Sequence, residues 1–389
     1  MLGALMMRIG RVVALAATLA VVAAACTRSD GSPVKGASSA ASTNRTSGAS
    51  PAPLVDPAKI ISGGPPPDGI PPIDHPKFLA TSDVTFLQPE EPVVAVEVGG
   101  IAKAYPIRIL IWHEIVNDDF GGTPVVVTYC PLCNTGIAYL RPTIDGQLLD
   151  FGTSGKLYNS NLVMYDRQTN SYWPQALGEA VVGPLTGTRL QFVAARILSW
   201  ADWSSAYPHG LVLSTATGAT RDYGTNPYPG YDGQAQPFLF DGTVDPRLPA
   251  KEHVLGIAGK SGVIAFPYSE LARRSVGGAT VVQGSFGGER LAVFWHAGTV
   301  SALDAAQIPD SFDVGAAAAY VPIVNGRRLM FVVKDGRIVD EGTGSRWSIS
   351  GRAVEGPLAG TQLDVAVAID SFWFDWAAFH PETQVFGAG

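Results

Sequence analysis

Residues 105–139 read YPIRILIWHEIVNDDFGGTPVVVTYCPLCNTGIAY, and no other stretch of the chain gathers so many reactive side chains. Val125, Val126, Val127, Thr128 and Tyr129 form a β-branched and aromatic run, which predicts a buried strand running into Cys130. Gly121, Gly122 and Pro124 punctuate a turn before that strand, and Pro131 favours a fixed turn after it. Ile107 to Val116 is apolar on one side and predicts a helix ending near Asn117. Cys130 and Cys133 stand three positions apart, with His113 upstream. Two thiols at that spacing can close a disulfide, exchange one, or hold a metal.

Composition narrows the functional classes. The 389 residues are 46% apolar and 16% charged, enough to bury a sizeable core in two domains of ordinary size. The 44 glycines and 29 prolines favour many turns and short strands. A net charge of -7 with no basic face argues against nucleic-acid binding, because phosphate contacts need clustered Lys and Arg. No Gly-rich phosphate loop opens a helix, which argues against a nucleotide cofactor. The three cysteines are Cys26, Cys130 and Cys133.

Outward to the N-terminus, residues 1–25 read as a signal peptide. Arg8 and Arg11 form a positive region, and Val12 to Ala25 is an apolar run too short for a good membrane span. The run ends Ala23-Ala24-Ala25-Cys26, similar to a bacterial lipoprotein cleavage site, so Cys26 is the expected lipidation residue. This places the mature protein outside the cytoplasm, anchored to the outer face of the cytoplasmic membrane; plain secretion is the alternative. Residues 26–77 are expected to be a disordered tether followed by a Pro-rich extended segment, with the folded body beginning near Phe78.

The body reads as β-rich α+β, built of two related halves: residues 78–250 with the thiol pair and a linking loop, and residues 251–389 as a degenerate second copy. Val93–Val98 and Ile101–Tyr105 make a hairpin over Gly99-Gly100, and Val254–Ile257 with Gly262–Pro267 repeats it. Gly183-Pro184-Leu185 is matched by Gly356-Pro357-Leu358, and Asp202-Trp203 by Asp375-Trp376. Three landmarks in one order point to an internal duplication. Features present in both halves, Asp-Trp among them, read as packing residues. The second half lacks the thiols, with Gln283-Gly284-Ser285 near the place of Thr128-Tyr129-Cys130. The Tyr/Pro/Gly segment 221–232 between the halves is either a rigid linker or a loop folded over the site of the first half.

The motifs WHEIVND at 112–118, TYCPLC at 128–133, FGTSGKLYNSNLVMYDRQTNSYWPQ at 151–175, RDYGTNPYPGYD at 221–232 and DPRLPAKEHVLGI at 245–257 resemble the bacterial domain-of-unknown-function family 3179. The resemblance covers most of the chain from about Phe78. It carries over no catalytic residue. Asn134 departs from the family, where Gly is common after the second cysteine.

Three readings of the thiol pair follow. In the first, Cys130 and Cys133 bind a soft metal, copper or zinc, with His113 as third ligand and Met164, Asp166 or His253 completing the set. In the second, the pair exchanges thiol and disulfide, Cys130 attacking first. In the third, it is a structural disulfide in a binding or scaffold protein, although so short a loop gives little chain-entropy stabilisation. Glu114, Asn117, Asp118, Ser160, Met164, Asp166, Arg167, Tyr228, Tyr231 and Asp232 are candidate site-lining residues. Whether the protein is an enzyme, and which protein partner it has, stay open at this level.

Overall fold

A computed structural model describes residues 51–388. The expected signal peptide, Cys26 and most of the expected tether lie outside the described residues. The described chain is β-rich with short helices. Strands β1 (Pro92–Val98) and β2 (Ile101–Pro106) form the expected hairpin over Gly99-Gly100. Helix α1 (Ile107–His113) follows, then β3 (Ile115–Asp119), β4 (Pro124–Cys130) and β5 (Thr135–Leu140). The helix is shorter than its apolar pattern suggests. Glu114, at φ 59°, caps it and turns the chain, so that Ile115–Asn117 pair with β4 instead of continuing the helix. The β-branched side chains of that segment fit the pleated surface better than a last helical turn.

The next elements are β6 (Phe151–Tyr158), β7 (Asn161–Asp166), β8 (Tyr172–Pro174), β9 (Phe192–Val193), β10 (Ala195–Ser199), α2 (Trp200–Ala206) and β11 (Leu211–Leu213). They complete sheets in the orders β10-β1-β2-β11, β9-β5-β4-β3 and β6-β7-β8, the first extended by the strand Phe78–Ala80 and the last by Ile61–Ser62. Residues 61–73 therefore join the body ahead of Phe78. Gly155, at φ 69°, permits this. A Cβ there would lie 1.9 Å from the Pro65 carbonyl oxygen, so the Pro-rich segment can lie against β6 only over a glycine.

Residues 253–385 contain β12 (His253–Gly259), β13 (Gly262–Pro267), α3 (Tyr268–Arg273), β14 (Ala279–Phe286), β15 (Glu289–His296), β16 (Ala316–Val321), β17 (Phe331–Lys334), β18 (Arg337–Asp340), β19 (Arg346–Trp347), β20 (Ala353–Glu355), β21 (Asp364–Val365), β22 (Ile369–Phe372), α4 (Trp373–Phe379) and β23 (Gln384–Val385). Their sheets run β22-β12-β13-β23, β21-β16-β15-β14 and β17-β18-β19-β20. Each sheet order matches its counterpart, including the parallel pairings β2 with β11 and β13 with β23. In that order β14 takes the place of β3 and β15 that of β4. The counterpart of Cys130 is thus His296, at the end of β15, and Gln283–Ser285 lie in the preceding strand.

A further matched feature escaped the sequence reading. Asp166 accepts from the Thr169 amide and hydroxyl and from the Trp173 indole N–H; Asp340 accepts the same set from Thr343 and Trp347. The hydrophobic cores cross between the halves. Trp203 and Ala206 of α2 pack in one cluster with Phe294, Tyr320 and Trp347, and Phe372 and Phe374 pack with Tyr129, Cys130 and Cys133. The described residues accordingly fall within one compact unit.

Candidate functional site

Cys130 closes β4 and Cys133 sits in the turn to β5, where Cys130 pairs with Thr135. The Cys133 amide donates to the Cys130 carbonyl at 3.2 Å, and the Asn134 amide to that of Pro131 at 3.3 Å. Pro131 sets the first turn dihedral, and Asn134, at φ 51°, takes the left-handed position that closes a four-residue hairpin loop. Glycine and asparagine both tolerate that conformation, which accounts for Asn134 here. The hairpin tip approaches the other strand layer closely: a Cβ on Gly136 would stand 2.9 Å from Val94 Cγ2.

Both cysteines are free thiols, 1% and 0% exposed. The Ser160 carbonyl faces them, 3.5 Å from Cys133 Sγ and 4.0 Å from Cys130 Sγ. The Asn161 amide lies 3.5 Å from Cys133 Sγ and donates to Asp375 Oδ1 at 3.1 Å. Asp375 comes from α4, in the other half of the sequence, and its carboxyl also accepts from Ser371 Oγ at 2.9 Å and Thr135 Oγ1 at 3.4 Å. It interacts directly with the Cys133 thiol. Burial pushes the Asp375 carboxyl up to about 6 despite these contacts. Burial, and then the neighbouring Cys130 and Asp375, push the Cys133 thiol well above its usual range.

A second unforeseen residue is Lys251. Its Nζ lies 2.9 Å from the centre of the Tyr231 ring, with Phe372 and Phe374 behind, and donates to the Tyr231 carbonyl at 3.3 Å. Burial lowers it to about 7, while Asp232 and Cys133 pull it the other way. Glu114 completes the set of displaced groups. Among the described residues nothing hydrogen-bonds its carboxyl, and burial raises it to about 8. Tyr228, likewise raised by burial, senses both Glu114 and Cys130.

Segment 221–250 lies over the turn, which decides between the two readings of the Tyr/Pro/Gly stretch. The Tyr231 hydroxyl donates to the Leu132 carbonyl at 3.0 Å, and Ser160 Oγ donates to Phe238 O at 2.6 Å. Asn134 meets His253 Nδ1 at 3.1 Å, and His253 Nε2 stands 3.5 Å from Asp232. A cavity of about 420 Å³ opens beside Lys251, His253 and Asp232. The buried atoms Asp232 Oδ1 and Trp295 Nε1 have no partner there.

His113 is elsewhere engaged. Its Nδ1 meets the Pro71 carbonyl at 2.7 Å and its Nε2 the Tyr223 hydroxyl at 2.6 Å, and burial lowers its pKa. Among the described residues no three His, Cys, Asp or Glu side chains form a group that could hold a metal ion, so Cys130, Cys133 and His113 do not converge as a ligand set. The remaining lining candidates divide in two. Ser160, Tyr228 and Tyr231 lie beside the thiols, while Asp232 faces His253 and Lys251. Asn117 instead fixes Phe151 and Asp74, Asp118 pairs with Lys103, Met164 is buried in the core, Asp166 organises its turn, and Arg167 clamps Asp68 and Asp74.

Asp375 was legible as a landmark, the Asp of the repeated Asp-Trp pair, but 242 positions of sequence separate it from Cys133, and no local pattern marks that contact. Lys251 carried no signal beyond being a lysine in an apolar neighbourhood.

The fold and site define a β-rich protein with a buried dithiol hairpin opposed by a carboxyl from its other half. The chain belongs to the family described as "Protein of unknown function (DUF3179)", whose model matches residues 67–383. No curated protein and no solved structure matches it.

Proposed function

We propose that the protein is a thiol–disulfide exchange protein, with Cys130 and Cys133 cycling between dithiol and disulfide. The observation that carries this reading is the Asp375 carboxyl against Cys133, held near 6 where it can take and return a proton at neutral pH. In the reducing direction, the Cys130 thiolate attacks one sulfur of a substrate disulfide. That S–S bond breaks, and the first substrate thiolate leaves and is protonated from solvent. The Cys133 proton passes to the Asp375 carboxylate, and Cys133 Sγ attacks Cys130 Sγ. The second substrate thiolate departs, leaving a Cys130–Cys133 disulfide and a substrate reduced by two electrons. A dithiol donor restores the pair by the reverse steps. Tyr231 and the Ser160–Phe238 contact cover the thiols, so segment 221–250 lifts when a substrate docks.

A second reading keeps the pair as a two-sulfur clasp for copper(I), an ion that thiolates select and that needs few ligands. Its support is the placement of both sulfurs in one buried turn. Zinc, which takes four ligands in closed sites, is less well served by the groups around the turn. The apolar run ending at Cys26 supports an extracytoplasmic lipoprotein anchored at the outer face of the cytoplasmic membrane. The matched sheet orders and the paired Asp166 and Asp340 networks support an internal duplication.

The test is oxidation of the reduced protein by oxidised glutathione at pH 7, followed by mass spectrometry and thiol counting. Joint loss of both thiols, reversed by a dithiol, is expected. Two thiols that stay unmodified sink the exchange reading. One copper(I) ion held by the wild type and lost in Cys130→Ser would establish the second.

A further inference from the structure

The place that corresponds to the thiol turn in the second half is a cavity, with different chemistry. His296 ends β15 as Cys130 ends β4, and Asp202 of α2 interacts with His296 as Asp375 of α4 interacts with Cys133. The Asp-Trp helix of each half thus carries an aspartate beside this region of the other, Asp375 at Cys133 and Asp202 near His296. Around His296 and Asp202 lies a cavity of about 260 Å³, bounded also by Ser205, Arg337, Arg346 and Ser348.

Two buried nitrogen atoms of its wall, Arg346 Nε and His296 Nδ1, have no hydrogen-bond partner. A buried guanidinium N–H without an acceptor is costly. Arg346 Nη2 stands 3.4 Å from Glu355, and the two side chains are 37% and 67% exposed. Arg337 adds a second, exposed guanidinium. Against these stands Asp202, whose Oδ2 accepts from Ser199 Oγ at 2.7 Å. Burial raises the Asp202 pKa.

We infer that this cavity is an oxyanion site, in which Arg346 and Arg337 hold a carboxylate or phosphate group while His296 offers a further ring nitrogen. The planar fork of a guanidinium matches both groups, and the partly exposed Arg346 and exposed Arg337 guanidinium groups face the cavity. The site is independent of the thiol chemistry, since none of its residues touches Cys130 or Cys133.

The experiment is a thermal-shift and calorimetric titration of the purified protein with inorganic phosphate and with acetate, against sodium chloride at matched ionic strength. Saturable stabilisation by phosphate or acetate beyond chloride is expected, and the stronger of the two names the group. Arg346→Gln and Arg337→Gln should each weaken that affinity at least about tenfold, the equivalent of one charge-assisted hydrogen bond. Arg337 is exposed, so its substitution leaves folding intact and keeps the test open should Arg346→Gln fail to fold. Shifts equal to those of chloride, or an affinity unchanged in the folded variants, overturn the assignment.

Discussion

Two strand ends, alike in topology, have been given opposite solutions. After β4 the chain turns in four residues, and the turn is covered by Tyr231, the Ser160 carbonyl and Asp375 until its thiols are sealed. After β15 it runs through residues 297–315 before β16 begins, and His296 is left at the edge of an open, arginine-lined cavity. The difference lies in what the neighbouring half offers. A short turn lets the hairpin tip reach the other half, where the Phe372 amide donates to the Cys133 carbonyl at 2.8 Å. The longer loop instead forms its own local bonds, with Asp313 accepting from the amides of Gly298, Thr299 and Gly315. One scaffold thus supports a sealed dithiol turn and an open, arginine-lined strand end, and burial decides which chemistry each can hold.

The sharpest way to break this comparison is to exchange the strand-end residues. Cys130→Ser should abolish formation of the Cys130–Cys133 disulfide altogether, while His296→Ala should leave it untouched, as read by mass spectrometry after oxidised glutathione. Equal effects from both variants would mean that the two ends are not chemically distinct.

The paired aspartates come next. Asp375→Asn should slow closure of the Cys130–Cys133 bond by roughly 10²–10⁴-fold, the usual yield of a positioned proton acceptor. It should also remove an inflection near pH 6 from the rate profile, the region in which the Asp375 carboxyl titrates. Asp202→Asn should change neither, and stopped-flow rates between pH 5 and 8 decide the matter.

Glu114 tests the dryness of the first site. Its carboxyl is raised from 4.5 to about 8 by burial. Between those values the folded state binds more protons than the unfolded state, so the contribution of this group to stability is complete below pH 4.5 and is lost as pH rises through 8. Glu114→Gln removes the penalty and should stabilise the protein at pH 7 by about 3 kcal/mol, with almost no change at pH 4. Denaturant unfolding at the two pH values reads the difference.

The smallest effect belongs to the cover. Tyr231→Phe deletes the hydroxyl bond to the Leu132 carbonyl and should cost about 1 kcal/mol. The same variant should speed thiol labelling by a small reagent several-fold if segment 221–250 is what limits access. An unchanged labelling rate would place the limiting motion elsewhere.

Much of this molecule was written in local sequence. The β-branched run 125–129 made β4, Gly99-Gly100 made the first hairpin, and Pro131 with Asn134 made the turn that brings the two thiols together. These features rest on dihedral preferences and on a period of two, which neighbouring residues determine among themselves. The family membership was likewise legible in continuous motifs. Tertiary structure alone decided the rest. It carried His113 away to Pro71 and Tyr223, brought Asp375 and Lys251 from the far half to the thiols, and laid Tyr231 over them. Those contacts span from 42 to more than 200 residues, and the shifts in proton affinity that give them meaning arise from burial, a property of the packed whole that no local pattern records.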